Sequence, residues 1–149
     1  MIALIMLQIA AAPKRPQIVT IAQIQPVKIT AGGNAEARLE LSVLKGFHIQ
    51  ANPASEPFLI AATIKIESPD SVVVGETVYP PGVPFRLKGS GKDISTYEGD
   101  IVISIPLKAD ESAKSDEVLL KGVLRYQGCD ATKCFPPTNV PFELKVIIE

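Results

Sequence analysis

The chain holds two cysteines, and both fall in one short segment, Tyr126-Gln127-Gly128-Cys129-Asp130-Ala131-Thr132-Lys133-Cys134-Phe135-Pro136-Pro137. Four residues separate them. Unrelated core cysteines would have little reason to share a turn. Three chemistries use such a pair. A structural disulfide is the first. Closing so small a loop stabilises by only roughly 2 kcal/mol, against about 4–5 for a ~100-residue loop. A zinc half-site is the second. It needs two further ligands, and the single histidine, His48, supplies at most one. A redox-active dithiol is the third. A short loop flanked by glycine and prolines exposes both sulfurs, and Lys133 beside Cys134 favours a thiolate there. Asp130 opposes thiolate formation at Cys129. Dithiol–disulfide exchange at Cys129 and Cys134 needs no cofactor.

Other candidate motifs fall short of chemistry. Gly89–Asp93 reads GSGKD, but a phosphate loop requires G-x-x-x-x-G-K-[ST]. Arg86 stands where the first glycine belongs, and Asp93 replaces the Ser/Thr. A solvated hairpin loop is the better reading. His48, between Phe47 and Ile49, reads as a strand residue. A copper site drawn from Met1, Met6, His48 and the cysteines is a remote alternative. Asp110-Glu111 and Asp116-Glu117 lie in a charge-rich connector, where a solvated surface is the default. No Ser-His-Asp or Cys-His pairing stands out by spacing.

The frame that must position the cysteines is a single domain. A chain of 149 residues buries roughly 70% of its unfolded surface, and 46% hydrophobic residues supply a core. The formal net charge of −1 argues against a nucleic-acid partner. No apolar run reaches the ~18–20 residues of a transmembrane helix. Thirteen prolines and ten glycines punctuate the chain too often for a helix bundle. Met1–Ala12, MIALIMLQIAAA, is an apolar stretch with a small-residue end, followed by charges. It reads as a signal remnant or a first strand, so residues 1–16 are set apart from a domain over 17–149.

Within that domain the apolar pattern has period two. Ala35, Ala37, Leu39, Leu41 and Val43 alternate with Glu36, Arg38, Glu40 and Ser42. Phe142, Leu144, Val146 and Ile148 do the same near the C-terminus. Further strands are expected over Ile18–Ile24, Val27–Ile29, Phe47–Ile49, Ala61–Glu67, Ser71–Val78, Thr96–Leu107 and Leu119–Tyr126. Ala109–Glu117 reads as a loop or one helical turn. Eight or nine strands, with turn signals every 8–12 residues, predict an all-β, immunoglobulin-like sandwich with the cysteine loop at one end. Chains of the antibody type bridge two sheets over tens of residues and pack the bridge on a tryptophan. This chain has no tryptophan.

The cysteine segment resembles the N-terminal periplasmic domain of the DsbD thiol:disulfide interchange family, with its Tyr-Gln-x-Cys … Cys-x-Pro-Pro pattern. Gly46–Leu59, GFHIQANPASEPFL, is similar to that family's Gly-aromatic-x-Ile-x-x-Asn-x-Pro stretch. Tyr97-Glu98-Gly99 and the β-rich run after it also fit, so the resemblance covers Val27–Ile148. It implies an immunoglobulin-like fold and a periplasmic redox relay acting as a thiol:disulfide interchange component. A thioredoxin-like domain, fed by a membrane electron donor, would reduce the pair. Periplasmic disulfide isomerases or cytochrome-maturation proteins would receive the electrons, with no small-molecule substrate. By position Cys134 would form the mixed disulfide and Cys129 would resolve it. Tyr126, Asp130, Lys133 and Phe135 are then candidates for tuning or supporting the loop. A cap loop is expected near Phe85–Gly91, with Phe85, Lys88, Gly89 and Tyr97 as its candidates. That family's membrane and thioredoxin-like domains are not in this sequence, which suggests an excised domain or a stand-alone protein. The rival expectation is an immunoglobulin-like protein-binding module whose disulfide is purely structural.

Overall fold

The computed structural model describes residues 16–149. The apolar segment and its two methionines lie outside the described residues. Twelve strands and no helix occur among the described residues. They are β1 (Val19–Ile21), β2 (Val27–Ile29), β3 (Asn34–Val43), β4 (His48–Gln50), β5 (Thr63–Glu67) and β6 (Val72–Val74). β7 (Val83–Phe85), β8 (Ile94–Tyr97), β9 (Asp100–Ala109), β10 (Asp116–Tyr126), β11 (Gly128–Cys129) and β12 (Thr138–Ile148) complete the set.

Two four-stranded sheets form the sandwich, ordered β1-β3-β9-β6 and β2-β12-β10-β5. The alternating residues meet between them. Leu39, Leu41, Ile103, Ile105 and Leu107 from one sheet and Leu120, Leu124, Phe142, Leu144 and Val146 from the other belong to one buried cluster. β10 and β12 pair antiparallel over eleven residues, from Asp116 opposite Ile148 to Tyr126 opposite Thr138. A pairing of that length fixes the register, because a one-residue slip would turn every core side chain to solvent.

A third sheet, ordered β11-β4-β8-β7, is built from chain that has just left the sandwich or is about to enter it. β4 follows β3, β8 precedes β9, and β11 follows β10. Ser42 at the end of β3 pairs with Asp100 at the start of β9, so these exits share one end of the molecule. The cysteine loop therefore sits at that end.

Two expectations need correction. The run Thr96–Leu107 is two strands in two different sheets. The chain turns at Gly99, whose φ of +62° is available to glycine at no steric cost. Residues 79–82 lead into β7, which the three prolines nearby concealed. The count of eight or nine strands was low for the same reason: the third sheet is made of segments of two to four residues. The stretch between β9 and β10 is a loop.

Candidate functional site

Cys129 and Cys134 are joined in a disulfide. The two residues form an isolated antiparallel bridge with Cα atoms 3.9 Å apart. Their environments differ. The loop does not expose both sulfurs, although its flanking glycine and prolines predict that it would: Cys129 is fully buried, while Cys134 is partly exposed.

Tyr126 ends β10 in the core. Gln127 ties the loop on two sides: its Oε1 accepts from Ile60 N–H at 2.9 Å, and its Nε2 donates to Phe135 O at 3.2 Å. Gly128 leaves room for Ile18, since a Cβ there would lie 2.4 Å from Ile18 Cδ1. Phe135 N–H donates back to Gly128 O, closing the loop after Cys134.

Asp130 shapes the turn between the sulfurs. Its Oδ1 accepts from Thr132 N–H and Lys133 N–H, both at 2.8 Å, and from Thr132 Oγ1 at 2.9 Å. Asp130 N–H donates to Lys133 O at 2.9 Å. The Thr132 amide above all, then the Lys133 amide and the Thr132 hydroxyl, hold the Asp130 carboxyl below the ordinary aspartate value. Lys133 is exposed, and its Nζ lies 5.5 Å from the centroid of the Phe135 ring. Phe135 in turn lies against Phe47, with centroids 6.3 Å apart.

Strand parity decides what else reaches the disulfide. Residues directly opposite in a sheet share a face, and alternate residues along a strand share it too. Cys129 pairs with His48, Gln50 with Thr96, and Phe85 with Ile94. Cys129, His48, Gln50, Thr96, Ile94 and Phe85 therefore occupy one face of the third sheet. Gly128, Ile49 and Tyr97 occupy the other, toward the core. Phe85 stacks on His48 at 3.7 Å between centroids, and His48 Nε2 meets Glu98 Oε2 at 2.8 Å. Lys88 N–H donates to Ala131 O at 2.8 Å, so the loop after β7 is fastened to the cysteine loop. Gly89, with φ of +83°, forms the turn beyond it.

Of the candidate cap residues, Lys88 is brought to the cysteine loop, and Phe85 lies against His48, the residue opposite Cys129. Tyr97 is a core residue. Its hydroxyl accepts from Asn52 N–H at 3.0 Å and donates to Pro80 O at 2.9 Å, and burial raises its pKa.

Sequence reasoning missed Gln50. Its side chain is fully buried, and its Nε2 lies 3.2 Å from Cys129 Sγ and 3.7 Å from Cys134 Sγ. Gln50 and its partner Thr96 are the buried polar residues among the described residues. The available signal was period two: Gln50 is two residues from His48, hence on the same face.

The molecule is an immunoglobulin-like β-sandwich whose end carries a disulfide, one sulfur buried and the other partly exposed. Residues 15–145 match the family model described as "Thiol:disulfide interchange protein DsbD, N-terminal", and the chain belongs to that family. Among solved structures it is similar to the N-terminal periplasmic domain of ScsB from Proteus mirabilis. That match has a TM-score of 0.56 and 20% identity over 85% of this chain and 44% of that one. This likeness shows the fold, and the chain spans less than half of the ScsB chain it matches. The Neisseria meningitidis DsbD N-terminal domain in the reduced form matches with a TM-score of 0.47 and 16% identity, over 76% of this chain and 79% of that one. No curated protein sequence matches the chain. No helix among the described residues is long and apolar enough to cross a membrane.

Proposed function

We propose that residues 17–149 form a periplasmic relay domain that passes reducing equivalents through the Cys129–Cys134 pair. The observation that carries this reading is the unequal exposure of two bonded sulfurs. A thiolate from a thioredoxin-like partner attacks Cys134, the sulfur it can reach. A bond forms between the partner's sulfur and Cys134 Sγ, the Cys129–Cys134 bond breaks, and the electron pair leaves on Cys129. The partner's second thiolate then attacks its own bridged sulfur and releases Cys134. The partner departs oxidised, and the domain keeps two thiols after taking up protons. The reduced pair repeats the exchange on a substrate disulfide, that of a periplasmic isomerase or cytochrome-maturation protein. A membrane electron donor resupplies the thioredoxin-like partner.

Within this reading Lys133 favours the Cys134 thiolate, while Asp130, Tyr126 and Phe135 hold the loop. Phe85 and Lys88 cover it from the β7 side. The test is trapping with a thioredoxin-like partner that retains only its attacking cysteine. The Cys129→Ser chain, oxidised with a leaving thiol on Cys134, accumulates the mixed disulfide. The Cys134→Ser chain, treated likewise at Cys129, does not. Equal trapping through Cys129 would overturn the assignment of roles.

A further inference from the structure

The Gln50 carboxamide is an unusual thing to bury. Its Oε1 has no hydrogen-bond partner, although the side chain is fully enclosed. Burying an amide without full pairing is costly, and an apolar side chain would remove that cost. The backbone does not need the amide, because Gln50 N–H donates to Gln127 O and Gln50 O accepts from Ala62 N–H. What the amide does reach is sulfur, with Nε2 closer to Cys129 than to Cys134.

A disulfide sulfur is a weak acceptor, so in the oxidised protein that contact returns little. A thiolate is a strong acceptor, and hydrogen bonds to charged groups are the stronger ones. When Cys134 is attacked, the negative charge develops on Cys129, which is buried away from water. A buried thiolate without a donor is disfavoured by desolvation. The Nε2–H group stands at that atom before the charge appears.

We propose that Gln50 is the donor to the leaving sulfur: its amide N–H stabilises the Cys129 thiolate expelled when a partner attacks Cys134. This inference rests on the exchange reading above. The donor is fixed in place by its strand, so little reorganisation accompanies the reaction. A better-stabilised leaving thiolate departs faster.

The test is the rate at which reduced thioredoxin reduces the oxidised full chain, compared with its Gln50→Met variant. Methionine keeps the length and removes the donor. The variant is expected to react roughly ten- to a hundredfold more slowly, with a melting temperature of the oxidised form no lower than that of the parent. A parent chain that reacts readily and a folded variant that reacts equally fast would overturn the role of Gln50 and leave the exchange reading standing. A parent chain that thioredoxin cannot reduce would overturn both. Should the variant not fold, the parent alone decides through the side-chain amide protons of Gln50, followed by NMR across reduction and a pH titration. The proposal expects one of these protons to move as Cys129 becomes a thiolate, and protons that stay fixed would overturn it.

Discussion

Cys129 lies opposite His48 in the β4–β11 pairing, which turns its sulfur onto the face shared by Gln50 and Phe85. Cys134, one short turn later, is the partly exposed sulfur. In the reduced chain Cys134 is therefore expected to alkylate at least about tenfold faster than Cys129. Iodoacetamide labelling followed by peptide mass analysis reads the two rates separately. Equal rates would contradict the asymmetry.

The stack of Phe85 on His48 carries a second expectation. Such aromatic pairs are worth about 0.5–1.5 kcal/mol beyond the area they bury. Phe85→Ala should lower the melting temperature modestly. It should also speed reduction of the disulfide by dithiothreitol, since the β7 segment covers this face. A slower or unchanged rate would mean that Phe85 supports the sheet and does not shield the sulfurs.

Asp130 gives a pH dependence whose sign is fixed. Its native pKa lies below the ordinary 3.8 because the Thr132 and Lys133 amides and the Thr132 hydroxyl bind the carboxylate. The folded loop thus holds this proton more weakly than the unfolded chain. The resulting stabilisation is present above 3.8 and is lost as pH falls through the lowered native value. The Thr132 and Lys133 amide resonances should titrate together with a midpoint below 3.8. A midpoint at or above that value would show that the turn is not held by this carboxylate.

Gly122 separates stability from redox chemistry. It lies opposite Phe142, whose ring covers the glycine so closely that a Cβ would fall 2.2 Å from Cζ. Gly122→Ala should destabilise the sandwich by roughly 1–3 kcal/mol through overpacking. Because Gly122 is in mid-strand and the disulfide lies beyond the strand's end, the reduction potential should stay unchanged. Chemical denaturation and thiol trapping on the same variant check both halves.

The long strands were legible because their chemistry is repetitive. Leu39 and Leu41 against Arg38 and Glu40, or Leu144 and Val146 against Glu143 and Lys145, announce a half-buried strand directly. The cysteine segment was legible for a different reason: two soft nucleophiles in one turn are rare enough to stand out. The third sheet was not. Its strands are too short to show a period, and Gly99 looked like one residue inside a continuous apolar run until its positive φ separated β8 from β9. Tyr97 lies in the core and Phe85 on the disulfide face. Gln50 was hidden because a glutamine in a short strand is ordinary. Only its burial against sulfur makes it a site residue.

The reduction potential of the Cys129–Cys134 pair, read by thiol trapping across a defined redox buffer, tests the exchange function most directly. A pair that relays electrons between thioredoxin-like and periplasmic disulfide proteins should fall between roughly −270 and −180 mV. A value well below about −300 mV would make the bond a structural one, resistant to physiological dithiols, and would contradict the relay.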